Sequence, residues 1–209
     1  MPHPDWNESY TRAEAPPWDT GEPNEDLTEF VRSGAVRPGR ALDVGCGTGT
    51  QSLWLAQQGF TVLGVDLAST AIEKALAKAA DAAIDCRFEA LDFLYDDIVG
   101  GPFNFVLDIG CFHIFDSPAD RAHFATRVAS LLAPDGRWLS LIGSTEGPER
   151  DVGPPRRSAR DVMNAIEPAL EILEFRAIEF HVNLPAPPAA WFCLARQREF
   201  PAQPSTRRG

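Results

Sequence analysis

Three glycines fall at every second position in RALDVGCGTGT, at Gly45, Gly47 and Gly49, directly after a short apolar run that ends in Asp43. A backbone that bare after a strand is either a tight turn or a surface that a ligand approaches closely. Asp66 closes the next apolar run, FTVLGVD, at roughly the 20-residue distance where an acid bonds the two ribose hydroxyls of an adenosine. Strand, glycine loop, helix, strand and acid in that order point to nucleoside binding, with the helix N-terminus offering its free N–H groups. The dinucleotide fingerprint G-x-G-x-x-G needs glycine at position 50, where Thr50 stands. A carboxylate at Asp43 sits awkwardly beside a pyrophosphate; it suits a cationic or zwitterionic ligand whose ammonium it reaches directly or through water.

These residues need a frame. ALDVG, FTVLGVD, CRFEALD, FNFVLDIG and RWLSLIG read as five strands separated by helices, and LEILEFRAIEFHV and AAWFCLARQR as two more joined by a Pro-rich turn. The intervening helices carry start and stop signals: Thr70 with Glu73 as a capping box, Ser117 with Pro118, Ser158 with Asp161, and Gly34 and Gly59 as stops. Alternation of this kind predicts an α/β, doubly wound, Rossmann-like sheet of seven strands with helices on both faces. The sheet is mostly parallel and its last strand antiparallel, because no helix separates the final pair. Ligands of such sheets bind beyond the carboxyl ends of the strands, where Asp43, Asp66 and Asp108 stand. Residues 1–24, polar and rich in Pro and Trp, read as an arm or lid without a core helix; residues 25–198 form one domain; residues 199–209 form a flexible tail.

Composition narrows the function classes. With 209 residues and 44% hydrophobic residues the chain can bury one good core. A net charge of −11 argues against nucleic acid, whose binders present basic patches. No apolar run approaches the roughly 18 residues of a membrane span, and the N-terminus shows no signal-peptide pattern. The cysteines, Cys46, Cys86, Cys111 and Cys193, are scattered without a CxxC pair, so they read as reduced thiols of a cytoplasmic protein with no metal site. The partner expected is a small molecule; the oligomeric state is left open.

At these residues the sequence resembles the class I S-adenosylmethionine-dependent methyltransferases. LDVGCGTG is similar to their first motif, VLGVD to their second, EALDFL to the motif at the third strand, FVLDIG to the fourth, and LLAPDGRWL to their entry into strand five. PPWDTGEPN and GPPRRSARDV resemble segments of the branch acting on thiols, thiopurines, halide or tellurium and selenium oxyanions, and some quinones. The resemblance implies S-adenosylmethionine as cofactor, held by Trp18, Gly21, Asp43, Gly45, Cys46, Gly47, Asp66, Leu67, Asp92, Phe93 and Asp108. In it Asp92 meets the adenine amino group and Phe93 packs on the ring. Trp18 either caps the methionine end by a cation–π contact or is an ordinary amphipathic anchor for the arm. Gly21 is a contact or only a turn, and Cys46 is a packing residue beside the cofactor.

The loop Gly110-Cys111-Phe112-His113 meets the reactive methyl in this fold, so His113 is the candidate to accept a proton from the nucleophile or orient it, against a structural alternative. Cys111 reads as small packing. Arg156, beside Arg157, either clamps an anion or lowers a thiol's pKa, or is solvated; Tyr10 on the arm lines the acceptor site. The activity expected is direct in-line methylation of a small soft nucleophile, a thiol such as methanethiol, hydrogen sulfide or a thiopurine. The alternatives are a quinol or phenol oxygen methyltransferase and a non-catalytic module that binds S-adenosylmethionine.

Overall fold

The computed structural model describes residues 5–149 and 154–198. The tail expected from residue 199 onward, and Gly153 of the GPPRRSARDV stretch, lie outside the described residues. In chain order the elements are α1 (Trp6–Thr11), α2 (Glu25–Arg32), β1 (Arg40–Val44), α3 (Thr50–Gln57), β2 (Thr61–Asp66), α4 (Ser69–Ala82) and β3 (Arg87–Ala90). Then follow β4 (Phe103–Ile109), a 3-10 turn (Phe112–Ile114), α5 (Pro118–Leu131), β5 (Leu132–Gly143), α6 (Ala159–Ile166), β6 (Leu170–Glu179) and β7 (Ala189–Gln197).

The strands form one seven-stranded sheet in the order β3-β2-β1-β4-β5-β7-β6. β1 pairs in parallel with both β2 and β4, so the order reverses between β1 and β4, and β7 runs antiparallel to both its neighbours. This is the doubly wound sheet that the alternation predicts. Successive side chains along a strand point to opposite faces, and the two cores follow that rule. Leu42 and Val44, Trp138 and Ile142 pack with Phe124 and Val128 of α5 and Val162 and Ile166 of α6. Ala41, Phe105, Leu107, Leu139 and Leu141 pack with Leu27 and Phe30 of α2 and Trp54 and Leu55 of α3. The edge strand β6 is blunted by charge: Arg176 pairs with Glu174 and with Asp26 of α2, while its guanidinium lies 4.2 Å over Phe192.

Two local expectations change. The arm contains a helix after all, α1, because Asp5 caps it by accepting the Glu8 N–H at 3.2 Å and Tyr10 gives it a buried anchor. The capping box expected at Thr70 and Glu73 does not form: α4 begins at Ser69, and no side chain of its N-cap residue, Ala68, is available to bond. Its free N–H groups are satisfied from elsewhere, with Asp66 Oδ1 accepting from Ala68 at 2.8 Å and Asn7 Oδ1, on the arm, accepting from Thr70 at 3.1 Å. The cap pairs at α5 and α6 form as expected, including the reciprocal box between Ser158 and Asp161.

Candidate functional site

The glycine loop turns the chain from β1 into α3 through a series of left-handed residues: Gly45, Gly47 and Gly49 have φ of 71°, 53° and 81°. A side chain at Gly45 would strike the Cβ of Cys111 at 2.8 Å, and one at Gly47 would meet the Tyr10 hydroxyl at 2.9 Å. The bare backbone thus lets the loop after β4 and the arm both close on it. Gly45 N–H and Cys46 N–H donate to the Val65 carbonyl at 2.8 and 3.0 Å, which fixes the loop to the end of β2. Cys46 packs among Ile72, Ala75, Ala79 and Phe88.

Asp43 is 2% exposed and accepts a hydrogen bond from Ser52 Oγ at 2.6 Å. Burial pushes its carboxyl up to about 7, and the nearby charges of Asp66 and Asp108 push the same way. Asp66, at the end of β2, is held by two backbone donors, Gly47 N–H on Oδ2 and Ala68 N–H on Oδ1, both at 2.8 Å. Burial raises its carboxyl as well, and those N–H groups oppose the rise. Each oxygen keeps lone-pair capacity for a further donor. Beside it Leu67 is 55% exposed, an apolar side chain standing free at the carboxyl edge of the sheet. Carboxylates gathered with like-charged neighbours in a buried loop form a site that a cationic, hydroxyl-bearing ligand would complete.

Other expected ligands are placed differently. Asp108 is fully buried and occupied: Oδ1 accepts from Cys111 N–H at 3.2 Å and Phe112 N–H at 2.9 Å, and Oδ2 from Trp138 Nε1 at 3.0 Å. It caps the turn after β4 and orients that loop. Burial pushes its carboxyl up to about 6. Phe93 is 6% exposed, with its ring 4.5 Å from Phe124 and the Arg127 guanidinium 5.6 Å over it, so the ring serves the core under α5 and not an adenine. Asp92, half-buried beside it, spends Oδ1 on Leu94 N–H at 2.8 Å. Gly21 is an exposed turn with open space around it.

The catalytic candidates separate further. His113 is buried, and its Nδ1 accepts Gly143 N–H at 2.7 Å. That bond requires an unprotonated Nδ1 and leaves the ring proton on Nε2. An imidazole held in this way donates at Nε2; it does not collect a proton there, so the general-base role expected of His113 does not fit its geometry. Arg156 is engaged by its own loop: Nε donates to the Ser144 carbonyl at 2.9 Å and the rest of its guanidinium grips the carbonyls of Thr145, Glu146 and Gly147. Arg157 likewise ties the segment before α6 to the His113 and Phe115 carbonyls and to Asp116. Both arginines shape the loop wall. Tyr10 is 5% exposed, packs against Ala68 and Ala71, and accepts from Trp18 Nε1 at 3.1 Å. Burial holds its phenol well above the ordinary value.

Trp18 itself, half-exposed, borders a cleft of about 260 Å³ whose walls include Glu22, Gln51, Ile109, His181 and Asn183. The cleft runs from the arm to the carboxyl end of β4 and the turn between β6 and β7. Two backbone-anchored contacts hold the arm there: Asn183 N–H donates to the Pro17 carbonyl at 2.8 Å, and Asn24 N–H to Gln51 Oε1 at 2.9 Å. Gln51, Ile109, Thr48, Asp19 and Lys78 had no assignment from the sequence. The one available signal was a hydroxyl, Thr48, set between two glycines of a loop with no other polar side chain. Among the described residues no group of three or more His, Cys, Asp or Glu side chains is arranged to hold a metal, and no helix is long and apolar enough to cross a membrane.

Comparison with known proteins bears on the family and the fold. Residues 41–136 match the family described as methyltransferase domain. The chain is 31% identical over 182 residues to the probable thiol methyltransferase 2 of Arabidopsis thaliana, covering 85% of this chain and 76% of that one. It is 30% identical over 132 residues to the 2-heptyl-1-hydroxyquinolin-4(1H)-one methyltransferase of Mycobacteroides abscessus, covering 62% and 57% of the two chains. A solved structure concerned with the conversion of a disulfide bond into a thioacetal group during echinomycin biosynthesis superposes with a TM-score of 0.79 at 26% identity, covering 91% of this chain and 87% of that one. With a doubly wound sheet, a glycine loop closed by acids and relatives of this kind, the chain belongs to the class I S-adenosylmethionine-dependent methyltransferases, in their thiol methyltransferase branch.

Proposed function

We propose that the chain methylates a small thiol by direct in-line transfer. The carrying observation is His113: the imidazole on the loop after β4 accepts Gly143 N–H through Nδ1 and is not set to take a proton. A thiol of pKa about 8.5 is already partly thiolate at neutral pH and needs no strong base. The likeness to the Arabidopsis probable thiol methyltransferase, and to a structure concerned with sulfur–sulfur and thioacetal chemistry, supports a sulfur acceptor.

S-adenosylmethionine supplies an activated methyl on a sulfonium when bound. Asp66 is the residue to hold the ribose hydroxyls, oriented for it by Gly47 and Ala68 N–H. Leu67 offers its exposed side chain to the adenine, and Asp92, just after β3, is the acid for the amino group. Asp43 answers the ammonium, directly or through water. Trp18 covers the methionine end from the arm, where an indole face attracts a cation. Asp108 and His113 hold the post-β4 loop in place, and the cleft beside Ile109 receives the acceptor. Orientation and exclusion of water supply most of the rate.

An oxygen acceptor is the second reading, favoured by the likeness to the hydroxyquinolone methyltransferase. A screen of small thiols, chalcogen oxyanions and phenols, read as S-adenosylhomocysteine formed, separates the two. Turnover of thiols is expected; phenol turnover with every thiol inert would replace the thiol reading by the oxygen one.

A further inference from the structure

Thr48 is 4% exposed within the glycine loop, yet its side chain touches two opposite charges. Lys78 Nζ lies 2.6 Å from Thr48 Oγ1, and Asp19 Oδ1 and Oδ2 lie at 3.0 and 2.9 Å from the same atom. A lysine ammonium only donates, so the hydroxyl accepts from Lys78 and turns its single proton to Asp19. The direction of both hydrogen bonds is therefore fixed, and Asp19, the residue after Trp18, is tied through a neutral hydroxyl to α4.

The same helix grips the arm at two earlier points. Thr70 N–H donates to Asn7 Oδ1 at 3.1 Å, and Lys74 Nζ donates to the Tyr10 carbonyl at 2.6 Å. Positions 70, 74 and 78 lie on one face of α4 at successive turns, and they meet arm residues 7, 10 and 19 in order. The arm so held puts the Tyr10 hydroxyl over Gly47 and joins it to Trp18. A ligand lying on the glycine loop would then leave only when this stretch lets go.

We infer that Asp19, Thr48 and Lys78 form a latch that positions the arm over the glycine loop and sets how fast the spent cofactor leaves. The inference rests on the cofactor placement proposed above. None of the three is a catalytic residue; they act through the placement of Trp18 and Tyr10. Thr48→Val keeps the shape of the side chain but strands both charges, whereas Thr48→Ser keeps the hydroxyl. Hydrogen bonds to charged groups are among the stronger ones, and losing the shared hydroxyl is expected to open the arm at least tenfold more often.

The test uses the full chain in two states. Hydrogen exchange at residues 6–19 of the cofactor-free protein reads the arm directly, and stopped-flow release of S-adenosylhomocysteine reads the consequence. For Thr48→Val and Lys78→Met we expect at least tenfold faster exchange and release, with the KM for S-adenosylmethionine raised more than kcat is lowered. Thr48→Ser is expected within twofold of the parent. Asp19→Ala, a change on the arm outside both cores that removes the acceptor for the Thr48 hydroxyl, is expected to follow Thr48→Val and guards against a folding defect in the other variants. Exchange and release within twofold of the parent in Thr48→Val, or equal damage in Thr48→Ser, would overturn the latch. Calorimetric binding of S-adenosylhomocysteine to the parent protein is the separate check on cofactor placement; its failure would remove that reading while the arm exchange still decides the latch.

Discussion

Asp43 should make cofactor affinity depend on pH in a definite direction. Its carboxyl is pushed up to about 7 by burial, by Asp66 and by Asp108, against a value near 3.9 in an unfolded chain. The native state therefore holds a proton that the unfolded state has lost, and stability falls as pH rises. The penalty is absent below about pH 4 and complete above about pH 7; over about 3 pH units it amounts to roughly 4 kcal/mol. From pH 6 to pH 8 the cofactor-free protein should lose about 1 kcal/mol, or a few degrees of Tm for a chain of this size. Asp108, at about 6, adds a smaller loss of the same sign. A bound cation reverses the balance at Asp43 by favouring its ionised form, so binding expels the proton. Affinity should then fall about tenfold from pH 8 to pH 6, with about half a proton released per site at pH 7. Asp43→Asn keeps the acceptor for Ser52 Oγ, removes the charge, raises Tm at pH 8 and binds the cofactor more weakly at that pH. Calorimetry in buffers of different ionisation heat counts the protons. The ligand's own amino group titrates in both proteins, so the difference between parent and Asp43→Asn isolates Asp43. A parent protein whose affinity is flat between pH 6 and 8, or whose pH dependence survives intact in the variant, would refute the assignment.

Two further outcomes follow from the same geometry. Asp66→Ala strips the acceptor from Gly47 and Ala68 N–H as well as from the ribose, so it should weaken S-adenosylmethionine binding by about 1–3 kcal/mol by calorimetry and also lower Tm; unchanged affinity would remove Asp66 from the site. With a thiol acceptor the pH–rate profile should rise toward the acceptor's own pKa in the parent and keep that shape in His113→Asn; a limb lost only in the variant would restore His113 as a base.

What the sequence displayed well was periodic or punctuated. Strand and helix alternation, the cap pairs of α5 and α6, and the acid at the end of β2 each depend on residues close in the chain, where propensity and spacing act directly. What it hid was decided by long-range partners. The capping box at Thr70 fails because Asn7, more than sixty positions away, already holds that N–H. His113 reads as a base in isolation, since a histidine after β4 is well sited for one; a single N–H from Gly143, on the neighbouring strand, chooses its tautomer and turns it into a donor. Phe93 follows its motif in sequence, but an aromatic ring settles where apolar area is buried, and Phe124 on α5 offers more of it than the open edge. The arm is the clearest case. Its composition forbids an amphipathic core helix, yet Asn7, Tyr10 and Asp19 dock on α4 and the glycine loop, which supply the complementary charges and the bare backbone. A site assembled in this way takes its cofactor chemistry from local motifs and its closure from contacts that no local motif encodes.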